Sequence, residues 1–183
     1  GAGKTTLLRL FAGLGRPSRG RVLLAGSNPI GSDKRGIGFL SHQSLLYDDL
    51  TVEENLVFFA RLYGLSRISE RIDTVLEWME LEDRLHQRAG TLSRGLKQRL
   101  SLARAVLHEP TLLLLDEPFA SLDRHGVRLV SRYLKAFDNT RTATTAIIVS
   151  HMVEVMADVI NRVAILRGGR IRLDQAWEGG SGT

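Results

Sequence analysis

A glycine-rich segment at the start of the chain has the residue types of a phosphate-binding loop. In the pattern G-x-x-x-x-G-K-[ST], glycines let backbone N–H groups turn toward a polyphosphate, the lysine neutralises its outer oxygens, and the hydroxyl reaches Mg²⁺. The second half of this pattern is present as Gly1, Ala2, Gly3, Lys4 and Thr5, followed by Thr6. The first glycine of the pattern and the strand that feeds the loop would precede Gly1, so we expect the sequence to be a piece of a longer protein. A helix that is merely capped by Thr5 or Thr6 is the alternative explanation.

Two adjacent carboxylates follow an apolar run in the second half of the chain. Residues 112–115, all leucine, predict a buried strand, and Asp116 and Glu117 come directly after it. Beside a bound polyphosphate, Asp116 would hold Mg²⁺, directly or through water, and Glu117 would face the water that attacks the terminal phosphate. A core strand that ends in a helix-capping acid would have the same sequence. Together with Lys4 and Thr5, the pair favours phosphoryl transfer.

Ser93 and Gly95 stand just before a predicted helix. A hydroxyl, an unobstructed backbone and the positive end of a helix would face one anion there, whereas an ordinary serine cap needs no ligand. The order of polar positions along the chain favours the anion. After the lysine loop the chain presents Gln43 at a strand end, the segments "LSRG" and "LLLLDE", then Ser121-Leu122-Asp123, and His151 after a strand.

The elements that must position these residues alternate between strands and helices. Apolar runs predict strands at "RVLLAG", "RGIGFLSHQ", "TLLLLDEP" and "TAIIVSH", and the last two read as buried strands. Between Glu53 and Ala105 apolar residues recur at helical spacing. Asp123 can cap a further helix, and "RVAILRGGRIRLDQ" predicts a hairpin that turns at Gly168 and Gly169. Strands that alternate with helices, interrupted by one helical insert, predict an α/β core with an α-helical lobe.

Composition limits the classes of protein that remain. The chain has 183 residues, is 43% hydrophobic and has a net charge of +5, which fits one domain, or one domain with a lobe, around a real core. It has no cysteine, so disulfides, thiolate metal ligands and a cysteine nucleophile are excluded. The Lys and Arg residues are scattered, so we do not expect a nucleic-acid partner. No apolar stretch approaches the roughly 18 residues of a membrane span, and a membrane role would need another chain or segment.

Across nearly its whole length the sequence resembles the ATP-binding subunit of ABC transporters. Six ordered motifs carry the resemblance: the Walker A loop Gly1 to Thr6, the Q-loop residue Gln43, the signature Leu92-Ser93-Arg94-Gly95-Leu96, the Walker B segment Leu112 to Glu117, the D-loop Ser121-Leu122-Asp123 and the switch residue His151. The resemblance implies a P-loop NTPase core, with a mostly parallel sheet flanked by helices, an inserted α-helical lobe and small antiparallel β elements. It assigns 1–43 and 108–178 to the core and 44–107 to the lobe. The whole is then a single domain that lacks its N-terminal strands and ends in a flexible tail, 179–183.

The resemblance implies an ATPase whose ligands are ATP and Mg²⁺. In that scheme Glu117, His151 and Gln43 are catalytic, and Thr5, Gln43 and Asp116 hold the metal. The nucleotide contacts fall on these positions: Gly1, Ala2, Gly3, Lys4, Thr5, Thr6, Ser93, Gly95 and Asp123. Gln43 would also link to the membrane subunit, and His151 would sense the γ-phosphate. Asp123 would cross a dimer interface.

Two positions of the signature depart from the family pattern. Arg94 and Leu96 stand where family members usually have glycine and glutamine. Because Ser93 and Gly95 are kept, we expect phosphate binding by this segment to survive.

The implied partners are a second ATP-binding subunit, identical or not, and an integral membrane permease at the cytoplasmic face of the cell membrane. A finer resemblance, in "IGFLSHQSLLYDDLTVEENLVFFARLYGL" and "LSRGLKQR", is to the ATPase subunit of haem exporters used in cytochrome c biogenesis. Exporter ATPases for drugs, lipids or polysaccharides share much of this sequence, and a family member that acts on ribosomes is a further alternative. Residues 45–47 either pack in the core of the lobe or, by family analogy, line the groove that accepts a coupling helix of the permease.

Overall fold

The described part of the chain alternates strands and helices, as the sequence predicts. The computed structural model describes residues 1–24, 26, 34–138 and 144–177. In chain order the elements are α1 (Lys4–Phe11), β1 (Ile37–Leu40), α2 (Val52–Leu62), α3 (Ile68–Met79), α4 (Arg94–Val106), β2 (Leu112–Asp116), α5 (Arg124–Asp138), β3 (Thr145–Val149), α6 (Val153–Met156), β4 (Arg162–Arg167) and β5 (Arg170–Ala176). Short 3-10 turns cover Lys34–Gly36, Glu82–Arg84 and Ala89–Thr91.

Strands β1, β2 and β3 form a parallel sheet in that order. Leu40 of β1 pairs with Leu115 of β2, and Asp116 of β2 pairs with Val149 of β3. The middle strand is buried from Leu113 to its end, because it has a neighbour on each side and helices over its faces. Since the strands are parallel, the segments that follow all three leave from one edge of the sheet.

The two faces of β2 pack against different helices. Leu114 points to one face, where it packs with Leu8 and Ala12 of α1. Leu113 and Leu115 point to the other face and join the larger core formed with α2 to α5. This division follows from the two-residue period of a strand, which sends neighbouring side chains to opposite sides. The leucine run is therefore apolar on every residue because both of its faces are covered.

The segment between β1 and β2 is helical, with α2, α3 and α4 as its elements. Helix α2 begins with a capping box, in which the Thr51 hydroxyl accepts from the Glu54 backbone N–H and the Glu54 carboxylate accepts from that of Thr51. The helical spacing predicted between Glu53 and Ala105 is confirmed in α3, where four apolar residues at that spacing are buried: Ile72, Val75, Leu76 and Met79. This face closes the core that the helices share with the sheet.

Strands β4 and β5 form an antiparallel hairpin, which confirms the prediction from the sequence. Arg167 pairs with Arg170 across a two-residue turn. Gly168 and Gly169 have φ values of 57° and 71°, and this pair of positive angles is what a type I′ hairpin turn requires and glycine readily supplies.

Two expectations about strands are wrong. Among its described residues the segment "RVLLAG" forms no extended strand, and Leu24 makes a single bridge. Strand β3 exists but is not buried: Thr145 and Ala146 are exposed and the rest is half-buried, since in the described sheet β3 has a neighbour on one side only. The predicted tail, 179–183, lies outside the described residues. Within the described residues, no helix combines the length and the apolarity needed to cross a membrane.

Candidate functional site

The polar residues that the sequence singles out follow the three parallel strands at one edge of the sheet. Gln43 comes three residues after Leu40, the last residue of β1, Asp116 ends β2, and His151 comes two residues after β3 ends. Ligands of open α/β sheets bind at this carboxyl edge. The topology thus places three residues from distant parts of the sequence along the same edge.

Glu117 and His151 are in direct contact. Nδ1 of His151 lies 3.0 Å from Oε2 of Glu117, and the His151 backbone N–H points to the same oxygen at 3.4 Å. The Glu117 side chain is 24% exposed and that of His151 is 76% exposed, so both reach solvent. A carboxylate fixed by a histidine and open to solvent on one side is suited to accept a proton from water.

The backbone of Glu117 is in the left-handed region, with φ 53°. This conformation is strained for a residue with a Cβ. The Glu117 backbone N–H donates to the carbonyl of Val149 at 2.8 Å, which extends the pairing of β2 with β3 by one residue. The turn therefore directs the Glu117 side chain back over the end of β3, where His151 lies.

Asp116 is buried, with 4% of its surface exposed. It ends β2 at the carboxyl edge of the sheet, directly before Glu117. Asp116, the Thr5 hydroxyl and the Gln43 amide carbonyl are hard oxygen donors, the type that Mg²⁺ prefers, and the donor set therefore fits that ion.

The glycine loop leads directly into α1. Gly3 has φ 95° and precedes the first residue of the helix, Lys4. Lys4, Thr5 and Thr6 are exposed, and the rest of the helix is held to the sheet through Leu8. Backbone donors at the start of a helix and an exposed lysine are features of an anion site. In the described structure, Lys4 and Thr5 make no hydrogen bond or ion pair with Asp116, Glu117 or His151.

Ser93 and Gly95 lie in a second cleft, together with the D-loop residues. Ser93 caps α4 by accepting from the Leu96 backbone N–H at 3.3 Å. The cleft has a volume of about 330 Å³ and is lined by Ser93, Arg94, Gly95, Leu96, Arg99, Ser121, Leu122 and Asp123. No residue of the loop 1–6 and neither Asp116 nor Glu117 is in that lining. The structure therefore brings the signature to the D-loop and not to the phosphate loop.

Asp123 caps α5, as the sequence predicts. Its Oδ1 accepts from the Gly126 backbone N–H at 2.7 Å, and this hydrogen bond holds the pKa of the Asp123 carboxyl below its ordinary value. The carboxylate is thus ionised in the cleft at neutral pH.

Gln98 contacts the turn at Glu117 and was not singled out from the sequence. Its side-chain amide donates to the carbonyls of Glu117 and Pro118, at 3.2 Å each. The available signal in the sequence was a polar residue within the predicted helix, five residues after Ser93. That signal does not say which backbone groups the amide meets.

Comparisons with known proteins agree on one family. The model of the ABC transporter family matches residues 1–120. The SkfA peptide export ATP-binding protein SkfE of Bacillus subtilis (strain 168) is 36% identical over 178 residues, which cover 95% of this chain and 73% of SkfE. The sulfate/thiosulfate import ATP-binding protein CysA of Mesostigma viride is 36% identical over 175 residues, which cover 93% of this chain and 50% of CysA.

Solved structures show the same fold. The dimeric post-hydrolysis state of the ATP-binding cassette MJ0796, bound to ADP and Pi, superposes with a TM-score of 0.87 at 26% identity. The match covers 97% of this chain and 82% of that one. The chain spans only about half the length of several curated relatives that it matches, CysA among them.

Proposed function

Since the chain belongs to the ABC transporter family as an ATP-binding domain, we propose that it binds MgATP and hydrolyses it to ADP and phosphate. The observation that carries this proposal is the contact between Glu117 and His151, directly after the buried Asp116, at the carboxyl edge of the parallel sheet. If Glu117 only ended a core strand and capped a helix, its carboxylate would not need a contact with His151, which follows β3.

In the proposed reaction Glu117 is the general base. Oε2 faces the His151 imidazole and accepts from the His151 backbone N–H, so the second oxygen of the carboxylate remains to accept a proton from the attacking water. The same histidine stands next to the departing γ-phosphate and stabilises the charge that develops there. Lys4 and the backbone N–H groups of residues 1–3 neutralise and orient the phosphates.

Thr5, Gln43 and Asp116 would hold Mg²⁺ through their oxygen atoms. When bound, the ion neutralises charge on the β- and γ-phosphate oxygens. The Gln43 side chain is exposed, which leaves it accessible both to the nucleotide and to a partner.

We propose that the complete ATP site forms between two subunits. Ser93 and Gly95 present a helix end in a cleft that contains none of the loop 1–6. A second ATP-binding subunit, identical or different, would bring its phosphate loop to that cleft. The D-loop carboxylate of Asp123 lines the same cleft and would face the partner.

The membrane partner would dock on an apolar surface beside the Q-loop. Leu46 packs into the core, as expected if the segment 45–47 belongs to the core of the lobe. Leu45 and Tyr47 are 47% and 49% exposed, as expected if the segment lines a docking groove. Tyr47 contacts Phe58 of α2 edge to face, and Phe58 lines an open groove along that helix. This surface is the proposed docking site of an integral membrane permease, which would hold the domain at the cytoplasmic face of the cell membrane.

Export is the proposed direction, and haem for cytochrome c maturation is the proposed cargo. The relatives include a sulfate/thiosulfate import protein and a SkfA peptide export protein, so the proposal of haem rests on the sequence segments quoted above. Transport of haem by cells that carry the complete gene and its membrane subunit, compared with cells that lack either, tests the cargo. Unchanged haem delivery in the deletion strain would overturn it.

Nucleotide binding and phosphate release by the protein expressed from its complete gene test the proposed activity. We expect the parent to release phosphate from MgATP and Lys4→Ala to bind MgATP at least tenfold more weakly, because the lysine charge on the phosphates is lost. Arg9→Ala on the same helix is the control and should bind normally. Equal affinities of parent and Lys4→Ala, or no phosphate release by the parent, would contradict the proposal.

A further inference from the structure

The turn that presents Glu117 is held by two different parts of the chain. First, β3 and the segment after it supply the Val149 carbonyl and the His151 imidazole. Second, α4 supplies Gln98. Because Glu117 has a left-handed backbone, its position depends on such outside contacts more than that of a residue in a relaxed turn.

Gln98 is placed to fix the main chain at this turn. One amide nitrogen donates to two successive carbonyls, those of Glu117 and Pro118, at 3.2 Å each. The Glu117 carbonyl also accepts from the Ala120 backbone N–H at 3.1 Å. Both hydrogen bonds go to main-chain carbonyls and neither goes to the Glu117 carboxylate, so we expect any effect of Gln98 on the reaction to act through the backbone.

The same helix carries the signature cleft at its beginning. Ser93 caps α4, Gly95 lines the cleft, and Gln98 is three residues further along, just under one turn. The close approach of Gly95 to the Ser121 carbonyl, 3.1 Å from an added Cβ, brings the D-loop against the same turn of helix. A rigid helix turn thus connects the cleft to the backbone of Glu117.

We propose that Gln98 is a positioning residue, which ties the Glu117 carboxylate to the signature end of α4 and makes turnover depend on that link. The proposal rests on the proposed ATPase activity. In the two-subunit arrangement the signature end of α4 contacts the ATP held by the partner's phosphate loop. Glu117 acts on the ATP held by the phosphate loop of its own chain. Gln98 then connects the two ATP sites of the dimer within one chain.

Gln98→Met tests the link, because methionine keeps the length of the side chain and removes the donor. In the protein expressed from its complete gene we expect kcat for MgATP hydrolysis to fall roughly tenfold to a hundredfold, as for a misplacement of about 1 Å, with KM within about twofold. The ATP-bound dimer should then persist longer on size exclusion. Gln87→Met is the matched control: Gln87 is also half-buried, and its amide donates to the Thr91 hydroxyl and accepts from Arg84, away from the Glu117 turn. The kcat of this variant should stay within about twofold of the parent.

Three outcomes decide the matter. A parent-like kcat in Gln98→Met, or a low kcat with a raised KM and no ATP-bound dimer, would overturn the positioning role, the second result indicating plain structural damage. If Gln98→Met does not fold, Gln98→Glu keeps the shape and polarity without the donor and should show the same fall in kcat at unchanged KM. A parent without ATPase activity would instead overturn the proposed function, and the inference with it.

Discussion

Substitution of Gly38 by alanine should strongly destabilise the domain. Gly38 lies in β1, where the strand passes over the end of α4 and the start of β2. A Cβ built on Gly38 would overlap the backbone carbonyl oxygen of Ala105 and lie 2.7 Å from Cγ of Pro110 and 2.9 Å from a methyl carbon of Leu113. The carbonyl belongs to a helix and cannot rotate away, so β1 and α4 would have to separate.

The expected loss follows from that overlap. Overpacking of a core typically costs about 1–3 kcal/mol, and we expect about 3 kcal/mol at Gly38 because the obstacle is backbone on a buried helix. For a domain of this size, roughly 2–4 °C is lost per kcal/mol, which gives a fall in Tm of about 6–12 °C.

Thermal unfolding followed by circular dichroism measures the change, with Gly36→Ala as the matched control. The nearest atom to a Cβ on Gly36 is the Thr111 hydroxyl oxygen at 3.1 Å, and a single hydroxyl can give way, so the cost should be below about 1 kcal/mol. A Tm for Gly38→Ala within about 2 °C of the parent would refute the reasoning. So would equal losses for Gly38→Ala and Gly36→Ala.

Three further predictions concern pH, the dimer and the switch histidine. Burial lowers the pKa of His108 from 6.5 to about 4, so the unfolded chain binds the proton more readily than the folded chain. The stability contributed by the neutral ring is therefore complete above pH 6.5 and is lost as the pH falls toward 4. Between pH 7 and pH 5 the free energy of unfolding in urea should therefore fall more for the parent than for His108→Phe, by on the order of 1–2 kcal/mol. Equal falls for the two proteins would contradict this. In mixed dimers, a Lys4→Ala chain paired with a Ser93→Ala chain should restore one intact composite site and hence measurable phosphate release, whereas activity independent of pairing would exclude the two-subunit site. His151→Ala should lower kcat roughly a hundredfold with little change in MgATP affinity, as measured by steady-state kinetics and calorimetry, and a parent-like kcat would remove His151 from the site.

Much of the fold follows from local signals in the sequence. The leucine run before Asp116 predicts a strand covered on both faces, the cap at Asp123 predicts the start of α5, and the glycine pair at 168–169 predicts the hairpin turn. Each of these depends on neighbours within a few residues, and all three are present in the structure.

The remaining features depend on contacts between distant residues. The amide of Gln98 meets the carbonyl of Glu117 across 19 residues, and no periodicity in α4 specifies that partner. Arg104 is buried because its guanidinium donates to the Phe39 carbonyl at 2.7 Å and lies over the Phe59 ring, although an arginine in a helix ordinarily predicts a solvent-facing position. The exposure of β3 likewise depends on the order of strands in the sheet rather than on its own apolar residues.

The measurement that tests the central claim most directly is steady-state hydrolysis of MgATP by the parent and by Glu117→Gln, both expressed from the complete gene. The substitution keeps the shape of the side chain and its contact distance to His151 while removing the base. We predict a fall in kcat of at least about a hundredfold, unchanged MgATP affinity by calorimetry, and a dimer on size exclusion that appears only with ATP. Turnover by Glu117→Gln within a few-fold of the parent would contradict the assignment of Glu117 as the base at the edge of the sheet.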